Sequence, residues 1–366
     1  MTKQNDVLLT VSGVIPPNIL AEIADGKRPR TDYIEMSNGF GADLIDYSKA
    51  IAKAGPIGKV IKRIGGNNAL LAWHCFRMRK RYKTIFTDGE QIGLPYALYM
   101  RLFGWADKDR PDHLMITHLI STKSKMWLTG FFKLHRFIDL FLCYSTRQQE
   151  IICETWQLPK ERAPFTPFMV DQNFFSPEDT KQQPDIVGIT DSLEPYICAV
   201  GLEFRDYPTL MEAVKDLEIN VVIAAGSPWS KRDDQTNEAE IPRNVLVKRF
   251  TQWELRKLYE KSEFFVMPLL ENDFQAGITA MLEAMSMEKA QICTSTKGQI
   301  DVVVDQENGI YVKPNDPAGL RQAILDLMSH PEKSLKMGKN GRQLIENYMN
   351  LDLYVKRLNS FILQLR

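Results

Sequence analysis

The chain has 366 residues, and its 46 Lys and Arg side chains balance its 46 Asp and Glu side chains. Hydrophobic residues make up 44% and charged residues 25%, which excludes a disordered tail, a collagen and a disulfide scaffold and suits about two domains. Residues 1–177 carry 24 basic and 17 acidic side chains, whereas residues 178–366 carry 22 and 29. This asymmetry predicts two domains with different partners, and the basic excess is too small to predict nucleic-acid binding.

The first half of the chain alternates between strand-like and helical patterns. The predicted strands are residues 7–13, 83–89, 113–120 and 139–145, and the predicted helices are residues 93–103, 123–135 and 146–156. A polar segment rich in Pro and Asp follows at 171–195, where we place a linker between domains.

The second half shows the same alternation more clearly. Strands are predicted at residues 195–201, 219–226, 244–250, 263–270 and 290–295, and helices at residues 207–217, 251–262, 277–285 and 316–330. Strands alternating with helices predict an α/β fold of two doubly wound parallel sheets. Ligands bind such sheets beyond the carboxyl ends of the strands, so we expect the site in a cleft between two facing domains.

The five cysteines are far apart and have no metal-binding spacing, which predicts free thiols in a reducing compartment. The apolar stretch near the N-terminus is too short and too interrupted for a signal peptide, and no run approaches the roughly 18 apolar residues of a membrane span. We therefore expect a cytoplasmic protein, either free or peripheral on the inner face of a membrane.

The segment 268–285, PLLENDFQAGITAMLEAM, carries the clearest chemistry, because a strand ends, a Gly-containing loop follows and a helix begins. Such a helix start is an anion site suited to a diphosphate, and Gly277 permits close backbone approach. The N–H groups expected to face the ligand are those of Ala276, Gly277, Ile278 and Thr279. Glu283 is predicted to accept hydrogen bonds from a neutral diol such as a ribose.

This segment resembles the E-x7-E signature of the family 4 retaining glycosyltransferases, which have the GT-B fold. Three further segments resemble elements of that family in order and spacing: residues 167–177, 198–214 and 308–324. The resemblance implies an N-terminal acceptor domain at 1–175 and a C-terminal domain for the nucleotide sugar at 176–349. It also implies that a last helix, at 350–366, packs back on the first domain.

Two positions depart from the family pattern. Gln275 stands where the family has its first Glu, so either an amide replaces that carboxylate or Glu271 or Asp273 supplies it from the loop. Leu202 stands where an Arg is usual, which makes Arg205 the best phosphate-binding candidate. The second cation is predicted to be Lys231 or Arg249, and the base is predicted to lie along 248–250 against Phe250.

The resemblance implies transfer of a sugar from a nucleoside diphosphate to an acceptor hydroxyl, with retention of the anomeric configuration. No cofactor or metal is expected, since cations and oriented amides stabilise the leaving group and no DxD motif ends a strand. In the first domain, His118 is predicted to contact the transferred sugar or the acceptor, with Asp88 and Glu90 as alternatives. Gly13, at the end of the first strand, is predicted to lie near the diphosphate.

Two basic stretches contain aromatic residues. Residues 59–83 include Trp73 and Phe76, and residues 123–137 include Trp127, Phe131 and Phe132. Such stretches suit an anionic membrane surface, which would favour a lipid-linked acceptor over a soluble glycan or small molecule. The alternative is an ordinary helix with its aromatic side chains in the core and its charges in water.

Two other functions are compatible with the same pattern. A nucleotide-sugar epimerase or hydrolase would act without any acceptor. A catalytically silent relative would bind a nucleotide sugar without turnover, and the departures at Gln275 and Leu202 keep this alternative open.

Overall fold

The computed structural model describes residues 5–181, 183–193, 195–225 and 241–365, which group into two compact units. Unit 1 comprises the chain up to Ala21, Thr31–Pro167 and the chain from Asp352 onward, and unit 2 comprises Glu22–Arg30 and Phe168–Leu351. The predicted division after residue 175 lies a few residues beyond this boundary.

Unit 1 contains a five-stranded parallel sheet with the strand order β2-β1-β3-β4-β5. Its strands are β1 (Val7–Thr10), β2 (Ala42–Ile45), β3 (Thr84–Thr87), β4 (Asp112–Thr117) and β5 (Leu140–Cys143). The helices of this part of the chain are α1 (Ile19–Ala24), α2 (Asp32–Phe40), α3 (Tyr47–Ala52), α4 (Gly55–Met78), α5 (Glu90–Phe103), α6 (Lys123–Phe131) and α7 (Thr146–Trp156).

Unit 2 contains a six-stranded parallel sheet with the strand order β11-β10-β9-β6-β7-β8. Its strands are β6 (Tyr196–Val200), β7 (Asn220–Ala224), β8 (Val245–Lys248), β9 (Phe265–Met267), β10 (Gln291–Thr294) and β11 (Gly309–Val312). Its helices are α8 (Pro177–Thr180), α9 (Tyr207–Val214), α10 (Gln252–Lys261), α11 (Ile278–Ser286), α12 (Pro317–Ser329) and α13 (Pro331–Leu344).

The strand orders confirm the predicted doubly wound α/β architecture and locate a switch point in each sheet. In unit 1 the chain turns outward in opposite directions from β1 and β3, and in unit 2 it does so from β6 and β9. A crevice opens at the carboxyl ends of such a strand pair, because the two following loops diverge. These two loop pairs are therefore the places to look for a site.

The elements form where the sequence predicts the strongest apolar runs. All five residues of β6 are buried, and α10 begins with a capping box in which the Thr251 hydroxyl and the Glu254 carboxylate each accept a hydrogen bond from the other residue's backbone N–H. The sequence patterns missed β2, β11, α13 and the helices α1 to α4. The edge strand β2 has only four residues, and the exposed Asp43 interrupts its apolar run.

The prediction of a linker over 171–195 is wrong. Phe175 and Ile189 are 1% and 2% exposed within the apolar core of unit 2. The Asp171 carboxylate accepts hydrogen bonds from the backbone and guanidinium of Arg30, at 2.8 to 3.1 Å. A small number of buried apolar residues anchors this polar segment to unit 2. Their effect is not visible in the average composition of the segment, which is polar.

The last helix, α14 (Leu351–Gln364), packs within unit 1. The hydroxyl groups of Tyr354 and Tyr144 share a buried hydrogen bond of 2.6 Å. A Cβ atom on Gly39 would overlap the Val355 side chain, so α2 and α14 approach closely at this glycine. Across the described residues, no helix combines the length and apolarity needed to span a membrane.

Candidate functional site

In unit 2 the loops that follow β6 and β9 are joined by backbone hydrogen bonds. The Leu270 amide donates to the Phe204 carbonyl at 2.9 Å, and the Asp206 amide donates to the Pro268 carbonyl at 3.1 Å. These bonds fix the two loops of the switch point to one another. Side chains on both loops therefore have defined positions relative to the start of α11.

Arg205 lies between these loops and is only 5% exposed. Its Nε donates to the Val200 carbonyl at 3.0 Å and its Nη1 donates to the Glu203 carbonyl at 2.6 Å. Burial lowers the pKa of the guanidinium, and among the described residues no carboxylate pairs with it. A buried cation held only by carbonyl oxygens is stable when an anion completes its coordination.

Two glycines in the left-handed region make room for this guanidinium. Gly201, at φ +106°, follows β6, and a Cβ atom there would overlap the guanidinium. Gly277, at φ +79°, precedes α11, and a Cβ atom there would lie 2.6 Å from the Met267 Sδ and 3.0 Å from the Arg205 Nη2. The Nη2 atom therefore lies directly beside the start of α11.

The start of α11 offers three N–H groups instead of the four expected. The prediction is wrong for Ala276, because its amide donates to the Phe274 carbonyl at 2.8 Å. Within the described residues, the amides of Gly277, Ile278 and Thr279 donate to no backbone acceptor. Free amides in the first turn carry the positive end of the helix dipole and bind anions.

Glu283 lies on the second turn of α11 and is 6% exposed. Its Oε2 accepts a hydrogen bond of 2.9 Å from the Tyr259 hydroxyl on α10. Burial raises the pKa of the Glu283 carboxyl to about 7, and the Tyr259 hydroxyl opposes this rise. The carboxylate thus titrates near neutral pH, and sequence reasoning did not anticipate its tyrosine partner.

Gln275 is 8% exposed, and its Nε2 donates to the Asp301 Oδ2 at 3.2 Å. Its Oε1 is buried and has no hydrogen-bond partner among the residues that the structure describes. Glu271, one predicted source of the missing carboxylate, is exposed and accepts from the Lys297 amide at 3.2 Å. The carboxylate that contacts Gln275 is therefore Asp301, which no sequence motif identified.

The other predicted donor residues follow β8, at the edge of the sheet and two strands away from β6. Arg249 is exposed, and Phe250 is partly buried with the Lys248 ammonium 5.8 Å from its ring centroid. The described contacts do not bring either residue to Arg205. Lys231, the other predicted cation, lies outside the described residues.

In unit 1, Asp88 follows β3 and lies at the switch point. Its carboxylate accepts hydrogen bonds of 2.6 Å from the Thr10 hydroxyl and from both the amide and the hydroxyl of Ser12. Burial raises the pKa of this carboxyl, and these donors oppose the rise. Asp88 therefore holds the loop after β1. Gly13, in that loop, accepts from the Tyr47 amide at 3.0 Å, and its predicted role remains a prediction.

His118 follows β4 and is exposed. Its Nε2 lies 3.0 Å from the Asp88 carbonyl, which can only accept, so Nε2 donates; in the neutral imidazole the lone pair is then on Nδ1. The buried Glu90 carboxylate accepts from the His118 amide at 3.1 Å and the Leu119 amide at 2.7 Å, and it pairs with the Lys125 ammonium at 3.0 Å. Asp88 and Glu90 thus position His118, and their alternative role in contacting the sugar or acceptor stays a prediction.

Two side chains near His118 were missed by sequence reasoning. Tyr144 packs its ring against the His118 ring, edge to face, with centroids 5.0 Å apart. Asp32 opens α2, and burial raises its carboxyl pKa, with the Asp88 charge raising it further and His118 lowering it. Asp32 lies in the first turn of a helix, where Asp is common in any protein. The sequence therefore does not distinguish a functional Asp32 from an ordinary helix-stabilising residue.

The described residues contain no group of three or more His, Cys, Asp or Glu side chains placed to hold a metal ion. A cavity of about 700 Å³ lies between the C-terminal end of α9 and residues 241–244, which precede β8. Since α9 runs back from the carboxyl end of β6, this cavity is at the amino edge of the sheet, where doubly wound folds do not bind ligands.

Two doubly wound parallel sheets in one chain are the architecture of the GT-B class of folds. Sucrose-phosphate synthase from Thermosynechococcus elongatus superposes over 98% of both chains with a TM-score of 0.70 and 14% identity. The Anabaena protein HepE, in complex with UDP-glucose, superposes over 98% of this chain and 99% of its own with a TM-score of 0.69 and 12% identity. The GT-B fold expected from the sequence is confirmed.

Residues 198–344, which lie in unit 2, match the family described as glycosyl transferases group 1. An uncharacterized glycosyltransferase from Methanocaldococcus jannaschii is 27% identical over 140 residues, which are 38% of this chain and 39% of that protein. The chain matches 39% or less of the length of its curated relatives. The matched region contains Arg205, the start of α11 and Glu283.

Proposed function

We propose that the chain transfers a sugar from a nucleoside diphosphate to an acceptor hydroxyl, with retention of configuration and without a metal ion. The observation that carries this proposal is the buried Arg205 guanidinium, which has no carboxylate partner among the described residues and lies beside the free amides of α11. The group 1 match over the same residues supports it.

The guanidinium and the amides of 277–279 would bind the diphosphate. Negative charge grows on this group as the bond to the sugar breaks, and the sugar becomes oxocarbenium-like. Donors fixed in advance stabilise that charge without reorganising during the reaction. Arg205 is fixed by its two bonds to carbonyl oxygens, at 3.0 and 2.6 Å, so its Nη2 needs no further ordering to meet a phosphate oxygen.

Glu283 and Gln275 would select the neutral parts of the donor. The Glu283 carboxylate would accept hydrogen bonds from the ribose hydroxyls, while Tyr259 keeps it oriented at 2.9 Å. The Gln275 Oε1 is buried and unpartnered while its Nε2 is held by Asp301, so it would accept from a sugar hydroxyl. In this role Asp301 is a positioning residue, and an amide performs what the family signature gives to a carboxylate.

His118 would contact the transferred sugar or the acceptor through its Nδ1 lone pair, which the bond between Nε2 and the Asp88 carbonyl leaves available. Unit 1 would thus supply the acceptor side of the reaction. The acceptor class is a hydroxyl of a glycan, a lipid-linked sugar or a small molecule.

Donor binding is tested with a thermal-shift panel of UDP-, GDP-, ADP- and TDP-sugars, beginning with UDP-glucose because a GT-B neighbour is complexed with it. The informative variant is Thr279→Glu, since Thr279 is exposed in the first turn of α11. A carboxylate there favours the helix start but repels a diphosphate, so the ligand-free melting temperature holds or rises while the ligand-induced shift is lost. Thr279→Gln is the matched neutral control and keeps the shift.

Arg205→Gln should also abolish the shift, whereas Arg243→Gln, at an exposed arginine before β8, should not. If Thr279→Glu and Arg205→Gln, both folded, keep the full shift, the site is assigned wrongly. Turnover is followed by NMR of the anomeric proton, with and without EDTA. Product of inverted configuration, or loss of turnover with EDTA, would contradict retention or metal independence.

The same panel separates the alternative functions. Conversion of the nucleotide sugar without any acceptor would identify an epimerase or hydrolase. A donor-induced shift without turnover on glycan, lipid-linked and small-molecule acceptors would identify a silent relative. Acceptor-dependent product supports the transferase.

A further inference from the structure

The first ten residues of α4, residues 55–64, expose an apolar face. Ile57, Val60 and Ile64 are 64%, 57% and 84% exposed. Their spacing of three and four residues places them on one side of a helix. The three side chains form a contiguous apolar stripe on successive turns of the helix. Contiguous exposed apolar patches of this kind mark surfaces that bind a partner.

A break in α4 separates this face from the core of unit 1. Gly66 has φ +70° and ψ −166°, which is not helical, and the helix resumes beyond it. After the break, Leu70, Leu71 and Cys75 are at most 1% exposed. Trp73 and Phe76 also pack inward, with ring centroids 5.5 Å apart. In the stretch 59–83 the aromatic residues therefore belong to the core, and the exposed face is aliphatic.

The charge around the apolar face has one sign. Between residues 47 and 87 the chain has ten Lys and Arg residues and no Asp or Glu. Lys59, Lys62 and Arg63 are exposed and alternate with the apolar residues of the face. Long basic side chains next to an apolar stripe can reach an anionic surface while the stripe is buried in it.

A second exposed patch of the same kind lies on α6. Trp127 and Phe131 are 63% and 66% exposed, and their rings stack with centroids 5.0 Å apart. Between residues 113 and 138 there is again no acidic residue, and Lys123, Lys133 and Arg136 are exposed. Exposed aromatic rings, Trp above all, are favoured at the level of the lipid headgroups, where one end of the ring is apolar and the other is in contact with water.

The topology places the two patches on the same part of unit 1. The helix α4 connects β2 to β3, and α6 follows β4 and leads to β5, so both belong to crossovers that advance in the same direction across the sheet. Right-handed crossovers of one direction lie on one face of the sheet.

We propose that residues 55–64 and the pair Trp127 and Phe131 form one docking surface for an anionic lipid bilayer. The absence of acidic residues from both stretches matches an anionic partner. The apolar stripe favours a bilayer over a nucleic acid as the anionic partner. A bilayer accepts Ile, Val, Trp and Phe below its phosphates, whereas a nucleic acid has no apolar interior for three exposed aliphatic side chains. Docking would hold unit 1 at the surface where a lipid-linked acceptor hydroxyl is presented.

Docking is tested by co-sedimentation of the full chain with vesicles of phosphatidylcholine alone and of phosphatidylcholine with about one third phosphatidylglycerol. We expect binding to the anionic vesicles only, weakened by salt because the charges are exposed. The triple variant Ile57→Ser, Val60→Ser, Ile64→Ser should bind at least tenfold more weakly. Because all three side chains are exposed, the variant should keep the wild-type melting temperature.

Leu325→Ser with Leu335→Ser is the matched control, since both leucines are exposed on helices of unit 2. This control should bind vesicles like the wild type. Trp127→Phe should remove a blue shift of tryptophan fluorescence that anionic vesicles induce. The proposal is overturned if the wild type does not sediment with anionic vesicles, if the triple variant and the control bind equally, or if the triple variant instead dissolves a dimer seen by light scattering. Nucleotide-sugar shifts are measured on the same variants, so failure of docking is distinguishable from failure of the transferase assignment.

Discussion

Replacing Glu283 by Gln should change the pH dependence of stability by an amount that follows from its burial. The pKa of this carboxyl is raised from 4.5 to about 7 because the side chain is buried on α11. Each pKa unit corresponds to about 1.4 kcal/mol, so ionised Glu283 costs the folded state about 3 kcal/mol at pH 8. Gln has the same shape and no charge, and it avoids this cost.

The sign follows from which state loses its proton first. Between pH 4.5 and about 7 the unfolded chain has released the Glu283 proton while the folded chain still holds it. Rising pH therefore favours unfolding through this window, and the loss is complete above it. About 2.5 kcal/mol of this loss falls between pH 5 and pH 8, because the unfolded chain already releases part of the proton by pH 5. The difference in melting temperature between Glu283→Gln and wild type should therefore be larger at pH 8 than at pH 5 by roughly 5–10 °C, at about 2–4 °C per kcal/mol.

The measurement is a melting curve of both proteins at half-unit pH steps. Taking the difference removes the titration of all other groups. Glu212→Gln, at an exposed glutamate of unit 2, serves as the control and should show a flat difference. Tyr259→Phe removes the hydrogen bond that opposes the pKa rise, so it should extend the upper end of the window to higher pH and leave the lower end unchanged. A flat difference for Glu283→Gln would refute the reasoning, because it would mean that the carboxylate is solvated.

Three further predictions concern other parts of the chain. Gly277→Ala should lower the free energy of unfolding in denaturant by about 2–4 kcal/mol, because of the strain at φ +79° and the contact of 2.6 Å with the Met267 Sδ. It should also abolish the nucleotide-sugar shift, and an unchanged free energy of unfolding would contradict the geometry. His118→Asn should lower turnover at least tenfold without changing the melting temperature, because the ring is exposed, and wild-type turnover would remove it from the site. Arg110→Ala removes two hydrogen bonds of 2.6 and 2.7 Å to Asp139 and should cost about 1–3 kcal/mol, which a wild-type melting temperature would contradict.

The fold was largely predictable because its strands are buried on both faces and read as continuous apolar runs. Each of the nine predicted strands corresponds to an observed one, with ends shortened by a few residues. The failures have a common cause. The edge strand β2 and the segment 171–195 are held by a few buried side chains among polar ones, and a local pattern does not show which polar residues, such as Asp171, have distant partners.

The candidate site could be read from the sequence only where its residues belong to one local motif. Gly277 and Glu283 stand in one segment, and their spacing on a loop and helix is visible in the sequence. Asp301 and Tyr259 contact Gln275 and Glu283 from 26 and 24 residues away, so only the folded chain brings them together. The free amide predicted for Ala276 fails for a similar reason, since the loop turns back on itself before α11 begins.

The two compact units are interlaced along the chain, and this limits how the protein can be dissected. Unit 2 takes residues 22–30 from the N-terminal part, and unit 1 takes the chain from Asp352 onward. Cutting the chain after residue 167 and separating the pieces would leave Asp171 without Arg30 and Tyr144 without Tyr354. A fragment that keeps unit 2 whole must therefore combine two separate stretches of coding sequence, those for residues 22–30 and 168–351.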